Sequence, residues 1–162
     1  MGILIKGGRV LDPASEKDGI YDVLVEDGLI AAVDGGIPED GHEVLDAFGC
    51  FVMPGLVDLH VHFREPGYEY KETIKTGAAA AARGGVTSVF PMPNTNPPAD
   101  SVSVIEKINE IAARDSAVNI YQVAAVTLGQ RGETPTDIVA LKRAGVIAIS
   151  EDGKSVMDSA VY

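Results

Sequence analysis

The spacing of apolar positions changes once along this chain, near Phe51. Before that point they fall in short runs, Ile3-Leu4-Ile5, Val10-Leu11, Tyr21 to Glu26, Leu29 to Val33 and Val44-Leu45, divided by Gly7-Gly8, Asp27-Gly28 and Gly35-Gly36. Short alternating runs between turn residues predict strands. Gly2 to Leu11 reads as a strand, a Gly-Gly turn and a second strand. Tyr21–Glu26 and Leu29–Val33 form a hairpin around Asp27-Gly28, and Glu43–Asp46 is a last short strand. Residues 1–51 are therefore expected to be a small all-β domain of about five short strands, with too little chain to bury a core unaided. His42 reads as a solvated turn residue.

After Phe51 the period alternates between that of a strand and that of a helix. The predicted strands are Val57–His62, Val86–Phe90, Val118–Val126 and Val146–Ile149. The predicted helices are Tyr70–Ala82, with five consecutive alanines before Gly84-Gly85, then Ala99–Arg114 and Pro135–Arg143. Val102, Ile105, Ile108 and Ile111 or Ala112 give the second helix its apolar face. Thr134 is read as the cap of the third, and Val156 to Tyr162 as the start of a fourth. Strand, helix, strand with short links implies parallel βαβ units. The expected class is α/β: about four βα units over residues 52–162, half of an eight-stranded TIM-type (β/α) barrel or a short open sheet.

Composition narrows the partners. A net charge of −11 argues against a nucleic-acid backbone or an anionic membrane surface, but does not bear on a small anionic substrate, which meets only local charge. The lone cysteine, Cys50, permits no internal disulfide and suits a reducing, cytoplasmic compartment; it reads as a small buried residue. No signal peptide or membrane-spanning run is visible.

The candidate chemistry sits at predicted strand ends, where β/α proteins gather function. In Val57 to His62 the apolar residues share one parity, expected to face covering helices, and Asp58, His60 and His62 share the other. Two imidazoles on one strand face read either as polar residues of a half-exposed strand or as ligands to one metal ion. Asp58 is placed to accept the second ring N–H of a ligating histidine. The other strand ends supply Arg64, Asn94, Thr127, Gln130, Glu151 and Asp152. Two imidazoles and a carboxylate suit zinc and similar ions, which lower the pKa of bound water to about 7. Arg64 can grip a carboxylate with two parallel hydrogen bonds, or pair with Glu65 on the surface. Asn94 can both donate and accept, or stabilise its own turn.

Asp46-Ala47-Phe48-Gly49 followed by Val52 to His62 resembles the opening of the barrel in the amidohydrolase superfamily. Phe63-Arg64-Glu65-Pro66-Gly67 and Met92-Pro93-Asn94-Thr95 narrow the resemblance to dihydroorotases of the bacterial type I class. The resemblance implies one or two zinc ions held by His60, His62 and Asp152, and a substrate carboxylate held by Arg64 and Asn94. It implies reversible ring opening of dihydroorotate to N-carbamoyl-L-aspartate in pyrimidine synthesis. It further implies homo-oligomers and aspartate transcarbamoylase as a partner. A non-catalytic dihydroorotase-like protein and a hydantoinase or allantoinase, with a carboxylated lysine such as Lys154, are the alternatives. The family also uses two later histidines and a catalytic aspartate, which places those residues beyond Tyr162 and leaves this stretch inactive alone.

Overall fold

The computed structural model describes residues 1–161, and the chain divides into two compact units, Met1–Pro54 and Gly55 onward. The first unit holds β1 (Ile3–Asp12), β2 (Lys17–Glu26), β3 (Leu29–Asp34), β4 (Glu43–Asp46) and β5 (Phe51–Val52). These form one sheet in the order β3-β2-β1-β4, with β5 also paired to β1. The β1–β2 and β2–β3 pairs are antiparallel, while β4 and β5 run parallel to β1.

The Gly-Gly turn expected within Gly2–Leu11 is absent. β1 runs through as one strand, with a register shift between Ile5 and Gly8. Such a bulge leaves a backbone N–H without its ladder partner. Here Asp22, only 5% exposed, accepts the Gly7 N–H at 2.9 Å and the Ile37 N–H at 2.9 Å. Leu4, Val10, Val23 and Ala47 are buried in this unit, whereas Ile20, Leu29, Ile30 and Phe51 are exposed. Cys50, expected to be buried, is exposed. It lies in the turn after β4, where its backbone donates to Ala47 and accepts from Arg9 while its thiol stays outside. His42 is only half exposed, and its Nδ1 is buried without a hydrogen-bond partner.

The second unit contains β6 (Leu56–Val61), α1 (Ile74–Arg83), β7 (Val86–Pro91), α2 (Val102–Asp115) and β8 (Asn119–Ile120). These are followed by β9 (Ala124–Ala125), a 3₁₀ turn (Leu128–Gln130), α3 (Ile138–Arg143) and β10 (Ile149–Ser150). Parallel strands β6, β7 and β8 form one sheet, and parallel β9 and β10 form a second. The strand expected over Val118–Val126 is thus divided between two sheets. Gln122, 4% exposed, sits at the break, where its amide donates to the carbonyls of Pro91 and Val123.

The helices begin later than the apolar spacing suggests, and in α1 and α3 a side chain caps the observed start. Thr73 accepts the Thr76 N–H while the Thr76 hydroxyl accepts the Thr73 N–H, so α1 starts at Ile74 rather than Tyr70. α3 starts at Ile138, capped by Asp137 rather than Thr134. The segment before it is already engaged: the Thr134 carbonyl accepts from Leu128, Pro135 bridges to Thr127, and the Thr136 N–H donates to Val126. α2 starts at Val102, which shifts its buried face to Val104, Ile105, Ile108 and Ile111. No helix forms over Val156–Val161, and Tyr162 lies outside the described residues.

One apolar cluster joins Phe63, Ile74, Ala78, Val89, Ala99, Ile105, Ile108, Ala124, Leu141 and Val146. Of the apolar parity of β6, only Val61 packs on this cluster; Val57 and Leu59 are 57% and 66% exposed, contrary to a helix-covered face. β6 lies at the edge of its sheet, with β7 in the centre. The contact between α1 and the strand exit is made at Gly77, where an added Cβ would lie 2.2 Å from the Phe63 ring. Gly77→Ala gains about 1 kcal/mol of helix propensity but overpacks a site where such insertions cost about 1–3 kcal/mol. Net destabilisation is therefore expected. A chemical-denaturation midpoint equal to or above wild type would contradict this packing.

Candidate metal centre and anion-binding rim

The exits of β6, β7 and β10 bring His60, His62, Arg64, Asn94 and Asp152 together. The His60 and His62 rings have centroids 5.1 Å apart and lie nearly edge to face. His60 Nε2 is 3.3 Å from one Asp152 oxygen and His62 Nε2 is 3.6 Å from the other. One ligand atom from each of the three residues lies within 4.8 Å of the other two. A tetrahedral zinc with bonds of 2.0–2.2 Å separates its ligand atoms by roughly 3.3–3.6 Å. The donor set of two imidazoles and a carboxylate, with its two closest approaches in that range, fits a divalent cation of this kind.

Asn94 is the hub of the hydrogen bonding. Its amide nitrogen donates to Asp152 Oδ2 at 2.9 Å. A carboxylate only accepts, so the amide orientation is fixed by this bond. Asn94 Oδ1 then faces Arg64 Nη1 at 3.2 Å and His62 Nδ1 at 3.1 Å. With an acceptor opposite, His62 Nδ1 must carry the hydrogen. In the neutral ring this leaves Nε2 with a bare lone pair on the side of Asp152. The single amide therefore selects the tautomer a metal ligand needs.

Asp58 does not take the role expected of it. Its carboxylate turns back along its own strand and accepts the backbone N–H of His60 at 3.1 Å. Glu65 does not pair with Arg64 either; it accepts the Ile74 N–H at 3.0 Å, at the first residue of α1. Arg64 forms no salt bridge among the described residues.

The loop bearing Arg64 is held against the loop bearing Asn94. The Asn96 N–H donates to the Pro66 carbonyl at 2.9 Å. At Gly67 a Cβ would lie 2.0 Å from the Asn96 carbonyl oxygen, and φ is +92°, so only glycine fits. Glu69 accepts the Gly67 N–H at 2.8 Å, and this hydrogen bond holds its carboxyl below its ordinary pKa.

Thr127 and Gln130 belong to the loop after β9 rather than to the cluster. Thr127 is fully buried and its hydroxyl bonds Glu151. Gln130 is 3% exposed with its amide nitrogen unpartnered. Lys154 is exposed, and the carboxylate in contact with both histidines is that of Asp152.

The L-hydantoinase (dihydropyrimidinase) from Arthrobacter aurescens superposes with a TM-score of 0.78 at 25% identity, over 91% of this chain and 32% of that one. The fold is that of the hydantoinase-type amidohydrolases. The chain belongs to the family described as Dihydro-orotase-like, whose model matches residues 49–161. It is 51% identical to a dihydroorotase of Syntrophus aciditrophicus over 98% of this chain and 38% of that protein. It is 47% identical to one of Acetivibrio thermocellus over 98% of this chain and 37% of that protein. The chain thus spans little more than a third of the length of these curated relatives. No helix among the described residues is long and apolar enough to cross a membrane.

Proposed function

We propose that this chain is the amino-terminal part of a zinc-dependent dihydroorotase, comprising part of a β-sandwich in residues 1–51 and the first half of a β/α barrel in residues 52–162. His60, His62 and Asp152 hold one or two zinc ions. Arg64 and Asn94 bind the carboxylate of dihydroorotate or N-carbamoyl-L-aspartate. The observation that carries this reading is the approach of Asp152, rather than a lysine, to both imidazoles, with Arg64 joined to the same carboxylate through Asn94.

Arg64 has N–H groups left over after its bond to Asn94, and these can take the two oxygens of a substrate carboxylate. Holding that carboxylate here would orient the ring, whose scissile amide carbonyl lies one methylene from the carboxylate-bearing carbon, relative to His60 and His62. His62, its tautomer set by Asn94, directs a lone pair to the same point. His60, His62 and Asp152 would hold a zinc ion whose chemistry there would be to acidify a water and polarise the amide carbonyl. The group that moves the proton belongs to the missing part of the barrel, so the present residues bind and orient without completing turnover. The reading places the protein in the cytoplasm, as a homo-oligomer able to associate with aspartate transcarbamoylase in pyrimidine synthesis. Asp152 and Arg64 weigh against a hydantoinase or allantoinase, and the retained histidines weigh against a non-catalytic relative.

The test is ring opening by the whole zinc-loaded protein, with dihydroorotate and hydantoin compared at equal concentration. Turnover of dihydroorotate alone is expected, and none from residues 1–162. Turnover of hydantoin with none of dihydroorotate would overturn the assignment.

A further inference from the structure

Glu151 is a carboxylate that the preceding reading leaves without a task. It is 7% exposed and next in sequence to Asp152, and among the described residues its side chain accepts from donors on the exit of β9. Its Oε2 receives the Val126 N–H at 3.0 Å and the Thr127 N–H at 3.2 Å, and its Oε1 receives the Thr127 hydroxyl. The backbone pairing of β9 with β10 ends at Ala125 opposite Ser150. The next two N–H groups of the β9 strand are those of Val126 and Thr127, so the Glu151 side chain continues the sheet where the backbone ladder stops.

The bonding extends further into the loop. Thr127 Oγ1 accepts the Gly132 N–H at 2.9 Å while donating its own hydrogen to Glu151. A second line fixes the main chain around Asp152: its N–H donates to Ser150 Oγ at 3.1 Å, and the Lys154 N–H donates to the Glu151 carbonyl at 2.8 Å. Residue 151 is thus fastened on both sides, and Asp152, next in the chain, is held where it meets His60, His62 and Asn94.

We infer that Glu151 is a positioning residue, whose carboxylate locks the exit of β10 to the exit of β9 and thereby sets the place of the Asp152 carboxylate in the metal centre. This rests on the reading of Asp152 as a metal ligand. The chemistry calls for a group that only accepts. A glutamine can satisfy the two backbone N–H groups with its oxygen, but its NH₂ then faces the Thr127 hydroxyl, whose hydrogen loses its acceptor. An alanine leaves all three donors unpaired.

The experiment uses the whole protein, loaded separately with zinc and with cobalt, as wild type, E151Q, E151A, D152N and L141A. Zinc affinity is read by chelator competition, coordination geometry by the cobalt visible spectrum, and folding by circular dichroism and thermal midpoint. E151Q should fold, bind zinc about tenfold more weakly, as residues orienting a ligand typically do, and shift the cobalt bands. L141A removes a core side chain that is 1% exposed and takes no part in these hydrogen bonds. It should lower the midpoint and leave both metal readouts at wild type. Wild-type affinity and spectrum in E151Q would overturn the inference, as would an equal loss in L141A, which would make the effect one of general stability. Should E151A fail to fold, E151Q decides. Undiminished zinc binding by D152N would bring down the metal reading beneath it, an outcome distinct from a silent E151Q.

Discussion

His60→Ala and His62→Ala should each strip zinc from the whole protein at concentrations where wild type is saturated. Protein zinc sites bind with about 10–16 kcal/mol shared among some four ligands, so one imidazole is worth on the order of 3 kcal/mol, or a hundredfold or more in affinity. Asn94→Ala is expected to act more weakly, about 10–100-fold. It removes the acceptor that fixes the His62 tautomer and the donor to Asp152, but no ligand atom. The order, histidine above asparagine, is the specific expectation. Metal analysis after dialysis, followed by chelator titration, measures it. Equal zinc in wild type and both histidine variants would refute the metal centre.

Arg64→Ala should produce the largest loss of substrate affinity while zinc content stays at wild type. Hydrogen bonds to charged groups are worth about 1.5–3 kcal/mol each, and a two-pronged grip on a carboxylate makes two of them. A rise in KM of about a hundredfold or more for dihydroorotate follows. Arg64→Lys should recover only part of this, since an ammonium keeps the charge but loses the planar fork. Steady-state kinetics beside metal analysis separates the two roles. Loss of zinc with KM unchanged would contradict the assignment of Arg64 to the substrate.

What the sequence made legible was what local pattern controls. The parity of His60 and His62, the three helices and the apolar face around Ile105 and Ile108 all follow from spacing along one element. Contacts between distant residues decided the rest. β1 runs unbroken because Asp22, fifteen residues on, takes the Gly7 N–H. The predicted third strand divides at Gln122, whose amide bonds a carbonyl of β7. Helix starts moved to the residues whose side chains cap them, Thr73 and Asp137, and α3 also had to wait until Thr134 to Thr136 had finished bonding the β9 exit. Asp58 shares the parity of the histidines, yet parity cannot say that its carboxylate folds back onto its own strand. Glu151 was legible as a strand-end carboxylate, but its partners were not. Its three donors lie 24 and 25 residues earlier, and no periodicity announces them.

The close seating of Gly67 on Asn96 has a consequence for how the two loops can vary. The segments carrying Arg64 and Asn94 share a wall with no slack. An insertion or a bulkier residue in either one displaces the other. If Arg64 and Asn94 hold the substrate as proposed, a change of preference at this end of the molecule has to be inherited as a matched pair of segments, and a chimera exchanging only one of them would misplace both side chains.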